Sequence, residues 1–417
     1  MTPPTSADGS IPRGIPDAHD TEHSGIRGSV SAFVDRVRGG DLGSLPVIVG
    51  LAIIWAIFQI LNPTFLSSTN LVNLTMQSAA VGTIAIGIVL VLLIGEIDLS
   101  VGSVSGLSGA ILAVGFVQLD WPLALVIVAS LAAGAAVGFV FGLLYTRFGV
   151  PSFVITLAGL LAVLGVQLYV LGSAGSINIP FDSWIVQFGQ QLFLPAWASY
   201  ALIALVVLAY AWRLISQARR RTDAGLAAMS SSVIVVRVAA LLVVLGAAAW
   251  YLNQTRGVGV MFVFFLLLVA AMNLALTRTR WGRAVYAVGG SVEAARRAGI
   301  RVNRIYISVF VLCSTFAAVG GLMAAARLAG SNQSSGGGDT NLNAIAAAVI
   351  GGTSLFGGRG SAFSALLGIL VIMSISSGLT LLNLDSSVRY IITGAVLVLA
   401  VIIDSLSRRS RAAAGRA

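Results

Sequence analysis

Apolar runs of roughly twenty residues alternate with short polar breaks from residue 46 to residue 405. A helix that crosses a bilayer needs about 20 predominantly apolar residues. The pattern predicts helices at roughly 46–62, 71–94, 99–118, 122–145, 151–172, 198–215, 233–252, 258–276, 306–328, 344–356, 361–382 and 388–405. The implied fold class is an all-α polytopic membrane protein with about 12 hydrophobic segments. Segment 344–356 is too short to cross about 30 Å at 1.5 Å per residue, so it reads as a half-helix or a re-entrant segment. The stretch from Phe181 to Trp197, with Pro180, Pro195 and several glutamines, reads as an external loop. Its Trp184 and Trp197 suit the membrane interface, where amphipathic rings settle.

The polar positions sharpen this picture. Only 10% of residues are charged, 57% are apolar and the mean hydropathy is +0.96, whereas a globular domain carries about 25% charged residues. A soluble enzyme, a nucleic-acid binder and a secreted disulfide scaffold are thereby excluded, and the chain reads as a multi-pass protein of the bacterial plasma (inner) membrane. The net charge of +10 comes from 25 basic residues, all of them Arg, clustered in the breaks. With the N-terminal tail inside, 22 of them face the cytoplasm and only Arg256, Arg327 and Arg389 lie near the outer side. The positive-inside rule therefore predicts both termini cytoplasmic. Without segment 344–356 as a crossing, Arg408, Arg409, Arg411 and Arg416 would be sent outside.

The organisation that follows is a disordered cytoplasmic tail at 1–41, a transmembrane domain at 42–406 and a basic cytoplasmic tail at 407–417. The chain has no Lys, hence no phosphate-loop lysine, and Gly352 to Arg359 imitates that loop's spacing without its ending. Cys313, the single cysteine, lies in an apolar run and reads as a packed thiol. His19 and His23 sit in the tail without further ligands, so no metal site is expected.

Three segments carry candidate mechanism. In Gly95–Ser103, Glu96 and Asp98 are two of nine acids outside the tail. Asp98 suits the cap of a helix beginning near Leu99, with a proton relay as the other reading. The polar stretch Arg278–Arg304 contains Ser291–Ile300, which spells a short helix: Ser291 as N-cap, Glu293 in the first turn and Gly299 as the stop. Two turns are marginal alone, so this helix either docks on a partner or rests on anionic headgroups.

The third segment, Ala344–Gly360, is interrupted by glycines, as is 95–106. Irregular backbone at membrane depth survives only inside protein or along a wet cavity, which makes both stretches candidate linings of a translocation path. The polar candidates for that path are Asn73, Gln77, Ser100, Ser103, Thr156, Gln167, Asn273, Thr353 and Ser354, with Ser308 a further polar residue inside a run. Small residues such as Gly134 and Gly138 let helix backbones approach closely in lipid.

Four strings occur in order: GEIDLSVGS at 95–103, PSFVITLAGLLAVLG at 151–165, YAVGGSVEAARRAGI at 286–300 and LNAIAAAVIGGTSLFGGRGS at 342–361. Together they resemble the membrane permeases of sugar-uptake ABC importers, the branch that handles ribose, xylose and related monosaccharides. The likeness covers nearly all of residues 46–405. The additional helix pair within 198–252 and the triplet Thr255-Arg256-Gly257 resemble the xylose-handling members. The resemblance implies import of a monosaccharide, a pentose such as xylose, by a homodimer of the chain. It also implies a cytoplasmic ABC ATPase partner, commonly two modules in one chain, and an extracytoplasmic sugar-binding protein. ATP and Mg then belong to that ATPase, and this chain is a transport subunit with no cofactor and no catalytic residue of its own. The family's coupling motif maps onto Glu293, Ala294, Ala295 and Gly299, inside a coupling loop at 278–304. The alternative is a stand-alone secondary sugar transporter or facilitator, for which Glu96 and Asp98 are the one candidate relay pair.

Overall fold

The computed structural model describes residues 45–226 and 228–385, together with 387, 388, 390–395, 398 and 402. The expected tails at 1–41 and 407–417 lie outside the described residues. The main helices among the described residues are α1 (Leu45–Leu61), α2 (Ser68–Leu93), α3 (Val101–Ala113), α4 (Leu123–Phe148), α5 (Ser152–Leu171), α6 (Ala196–Asp223), α7 (Ser231–Leu252), α8 (Val260–Arg278), α9 (Arg280–Gly290), α10 (Val292–Arg297), α11 (Val302–Leu328), α12 (Thr340–Ile350) and α13 (Ala362–Leu381). Among the described residues, nine helical stretches are long and apolar enough to cross a membrane: α2 to α8, α11 and α13. In that count α3 is lengthened by a wider turn of π type over Val114–Gln118. The predicted all-α polytopic class is the observed one. Of the last expected segment, the described residues between 387 and 402 are helical.

α12 departs from expectation. It starts at Thr340 rather than 344 and stops at Ile350 rather than 356. The chain turns at Gly351–Gly352, where Gly352 adopts φ +100, a conformation that side chains disfavour. Eleven residues at 1.5 Å each span about 16 Å, half a bilayer core. Asp98 also differs from its expected role. The N-cap of α3 is Ser100, and Asp98 Oδ1 accepts from the Ser100 amide at 2.8 Å and its hydroxyl at 2.6 Å. The carboxylate braces the turn before the helix rather than the helix's own amides.

Contacts divide the chain into two compact units, one spanning 200–247 and the other formed by 42–199 with 248–417. The smaller holds most of α6 and α7, in which Val207, Leu214, Val233 and Ile234 are buried. The larger is centred on α2. That helix is apolar on every side, and 89% of its most apolar stretch is buried inside protein, as expected of a helix enclosed by others rather than by lipid. It packs against α11, α13, α8 and α12; α11 packs in turn on α4 and α3, and α3 on α5. Between α4 and α11 the backbones touch, because a Cβ at Gly138 would lie 2.3 Å from the Phe310 carbonyl oxygen. This is the close approach that small residues permit in lipid. Cys313 is fully buried in the same core.

One small sheet ties two helix ends together. Strand β1 (Ser176–Asn178), after α5, pairs antiparallel with β2 (Gly330–Asn332), after α11, with Ile177 opposite Ser331.

Candidate functional site

The two glycine-interrupted stretches lie side by side. After α2 ends at Leu93, the chain leaves helical geometry until Ser100; after α12 ends, it does so again until Ser361. The Gly358 amide donates to the Leu93 carbonyl at 2.9 Å, and Gly95 faces the Phe356 carbonyl. At the other end of α12, the Asn341 side-chain oxygen accepts from the Gly102 amide at 2.5 Å, occupying one of the free donors in the first turn of α3. The interruptions thus support each other at two levels.

A third segment joins them. Helix α9 buries Gly282, Val285 and Val288 on one face. Its start is capped by Thr279, whose hydroxyl accepts from the Gly282 amide at 3.0 Å, and it is anchored by Trp281 Nε1 donating to Ser308 Oγ at 2.9 Å. Further along, the Tyr286 hydroxyl donates to the Gly360 carbonyl at 2.8 Å. Burial raises the Tyr286 pKa above its ordinary value. Gly289 sits where no side chain fits: a Cβ there would lie 1.8 Å from the Leu93 carbonyl oxygen and 2.7 Å from the Gly358 amide. Three backbone segments, Leu93–Gly95, Gly289–Gly290 and Gly357–Gly358, therefore meet at one junction.

From that junction the chain passes directly into α10. Ser291 ends α9 and caps α10, its hydroxyl accepting from the Ala294 amide at 3.3 Å. Gly299, at φ +79, stops the turn that follows. The local reading of Ser291–Ile300 as a capped short helix holds. Ala295 is its buried anchor, while Glu293, Ala294 and Gly299 are exposed. Glu293 and Arg296 pair at 3.3 Å with 69% and 62% of their side chains exposed. A pair so open to water contributes little to stability, so both groups remain available to another surface.

The path candidates distribute unevenly. Ser100, Ser103, Thr156 and Gln167 gather along the seam between α3 and α5. There Ser103 Oγ donates to the Leu160 carbonyl at 2.9 Å and Thr156 Oγ1 to the Ser152 carbonyl at 2.9 Å. Gln167 Nε2 donates to the Ser335 carbonyl at 2.9 Å, and its Oε1 is buried without a partner among the described residues. Thr353 and Ser354 lie in the break after α12; Ser354 Oγ accepts from the Phe356 amide at 3.2 Å, and Thr353 Oγ1 is buried with no partner among the described residues.

Asn73, Gln77 and Asn273 do not join either group. Asn73 accepts from Arg256, whose guanidinium also lies 5.1 Å from the centre of the Phe193 ring. Thr255 Oγ1 is 2.8 Å from Ser68 Oγ. The triplet Thr255-Arg256-Gly257 thus fastens the chain between α7 and α8 to the start of α2. Gln77 and Asn273 are half-buried, with no side-chain hydrogen bond among the described residues. Among the acids, Glu96 accepts from the Tyr145 hydroxyl at 2.5 Å, and Asp98 is held by Ser100. Among the described residues no group of three or more His, Cys, Asp or Glu is placed to hold a metal ion.

Sequence reading did not identify Asn341, Tyr286 or Gly289 as joining residues. Asn341 fell before the expected start of its helix, and the contacts of the other two are with carbonyls distant in sequence.

A family model described as a branched-chain amino acid transport system permease component matches residues 70–232 and 221–401. The chain belongs to this permease family. Among curated relatives, the xylose transport system permease protein XylH of Escherichia coli (strain K12) is 38% identical over 371 residues, covering 88% of this chain and 93% of its own length. The protein of the same name from Haemophilus influenzae is 35% identical over 376 residues, covering 90% and 99%. The ribose import permease protein RbsC of Escherichia coli (strain K12) is 31% identical over 365 residues, covering 86% and 92%. No solved structure matches the chain significantly. Family membership and nine candidate spans identify the chain as a multi-pass membrane permease, the transport subunit of its system.

Proposed function

We propose that this permease is the membrane subunit of an ATP-driven importer that moves a monosaccharide, a pentose of the xylose type, into the cell. The observation that carries the mechanism is the junction of Leu93–Gly95, Gly289–Gly290 and Gly357–Gly358, where α9 and α10 meet both interrupted helices. Movement of α10 reaches both interruptions through backbone contacts, without an intervening flexible side chain. In this reading 42–406 is the permease domain, 198–252 an additional helix pair, and 278–304 a cytoplasmic coupling loop. Glu293, Ala294, Ala295 and Gly299 form the docking surface for an ABC ATPase whose two modules share one chain and hold ATP and Mg. Two permease copies act together, and an extracytoplasmic binding protein delivers the sugar. The arginine distribution supports placing both termini in the cytoplasm.

A neutral polyol needs hydroxyl and amide partners rather than fixed charge, and the sparsely charged spans supply those. The permease binds sugar weakly, since a tightly held solute is not released. A self-sufficient proton-driven carrier would need a relay. Its two candidate acids are instead engaged locally, Glu96 with Tyr145 and Asp98 with Ser100.

The test is to purify the tagged chain from native membranes and assay ATP hydrolysis with its binding protein and candidate pentoses. A co-purifying ATPase stimulated by one sugar-loaded binding protein is the expected result. Glu293→Arg should abolish sugar uptake while membrane insertion persists. Full transport by that variant sinks the docking assignment, and ATP-independent uptake by the chain alone sinks the importer.

A further inference from the structure

The first turn of α12, the far third of α13 and the helical segment at 390–395 enclose an open pocket whose lining is mostly polar. Asp339, Asn343, Ser376, Tyr390 and Thr393 face it, with Ile372 and Leu379 as its aliphatic wall. On α13, Ile372, Ser376 and Leu379 recur at spacings of four and three, so they share one face of the helix. Asn343 is 9% exposed as a residue, yet among the described residues its side chain makes no hydrogen bond. The side chains of Asp339, Ser376, Tyr390 and Thr393 likewise have no hydrogen-bond partner among the described residues. Asp339 precedes α12 without capping it through its side chain. Of the five, Asn343 is the buried one, and buried polar groups in folded proteins are normally paired, so its unpaired side chain, beside the more open Asp339, Ser376, Tyr390 and Thr393, points to a ligand in the pocket.

The chemistry narrows that partner. An amide, three hydroxyls and a carboxylate offer both donors and acceptors, which suits a ligand that presents several hydroxyls of its own. Among the described residues the pocket's one charged group is Asp339, and a lone carboxylate is a poor cage for a metal cation. Tyr390 adds an aromatic face for the C–H surface of a sugar ring. Convergent polar groups beside an apolar wall are the usual make-up of a small-molecule site. Position agrees as well. Ser376 lies fifteen residues beyond Ser361, about 22 Å along α13, at the end away from the glycine junction.

We infer that this pocket is the entry subsite of the permease, where the hydroxyls of a neutral monosaccharide exchange a binding protein's hydrogen bonds for those of Asp339, Asn343, Ser376, Tyr390 and Thr393. The inference rests on the sugar-import reading for the identity of the solute, but the pocket is tested without ATP. The probe is D-xylose, and the reporter is Ser376→Cys in the full chain in native membranes, labelled with a polar maleimide; Cys313 is buried and contributes little background. Xylose on the order of 100 mM, about ten times the ~10 mM Kd of a weak subsite, should slow labelling roughly tenfold, while equimolar betaine does not. Equal rates with and without xylose overturn the pocket.

In proteoliposomes with the ATPase and binding protein, Asn343→Leu should lower xylose uptake by roughly tenfold. Sugar-stimulated ATP hydrolysis should be unchanged, and Asn343→Gln should restore part of the uptake. Wild-type uptake by Asn343→Leu, or parallel loss of uptake and hydrolysis, counts against a solute contact. Absence of ATP-dependent uptake in the wild type with protection at Ser376→Cys intact refutes the importer alone and leaves the pocket standing.

Discussion

Two adjacent glycines give a sharp test of the junction. A Cβ placed on Gly289 lies 1.8 Å from the Leu93 carbonyl oxygen and 2.7 Å from the Gly358 amide nitrogen, whereas one placed on Gly290 meets nothing within 4 Å. Carbon–oxygen contacts settle near ~3.3 Å, so Gly289→Ala must open the junction by about 1.5 Å, the difference between that spacing and the 1.8 Å approach. Both obstructing atoms are backbone and cannot rotate aside. Overpacking of this kind costs ~1–3 kcal/mol. If that energy falls on the state in which α9 is seated against both interruptions, coupling weakens roughly 5- to 150-fold. The assay is ATP-driven sugar uptake and ATP hydrolysis measured in the same proteoliposomes, normalised to the permease present. Gly289→Ala should lose uptake by about tenfold or more while hydrolysis continues, and Gly290→Ala should match the wild type. Equal behaviour of the two variants, in either direction, would refute the argument, since they differ in steric surroundings and hardly at all in position.

Three further outcomes follow from local contacts. Ser291→Ala removes the cap of α10 and should destabilise that turn by about 1 kcal/mol, seen as faster amide exchange over 292–299 with the spans unchanged, and Ser291→Asp should restore protection. Gly138→Leu forces apart α4 and α11, whose backbones approach to 2.3 Å from the Cβ position, and should lower the melting temperature of the detergent-solubilised protein, whereas Gly165→Leu, with open space around it, should not. Cys313 is 0% exposed and should resist maleimide in native membranes yet react fully in denaturant; rapid native labelling would contradict its burial.

The apolar period alone determined the class of the protein. Runs near twenty residues with arginine confined to the breaks admit no soluble solution, and the spans form where those runs lie because a helix satisfies its own backbone in lipid. Local signals were equally legible where the interaction is local: Ser291, three residues ahead of the amide it accepts from, and Gly299, with its positive φ, mark a helix within one stretch of chain. The interrupted segments were visible for the same reason, since glycine and polar residues break the apolar period.

Tertiary structure decided what those segments touch. Gly289 meets Leu93, Tyr286 meets Gly360 and Asn341 caps α3 at Gly102, pairs separated by 74 to 239 residues whenever a hydrogen bond is involved. Nothing in the neighbouring sequence encodes such a partner. The same holds for the path candidates: Ser103 and Thr156 give their hydroxyls to nearby carbonyls, while among the described residues the Asn343 amide and the Ser376 hydroxyl, less conspicuous in the sequence, make no side-chain hydrogen bond. Composition shows that a polar group lies in an apolar run; only packing decides whether a carbonyl, another side chain or an open pocket receives it. In a bundle where hydrophobicity is nearly uniform, hydrophobic contrast between helix faces is too small to specify neighbours, so close backbone approach and hydrogen bonding assume that role.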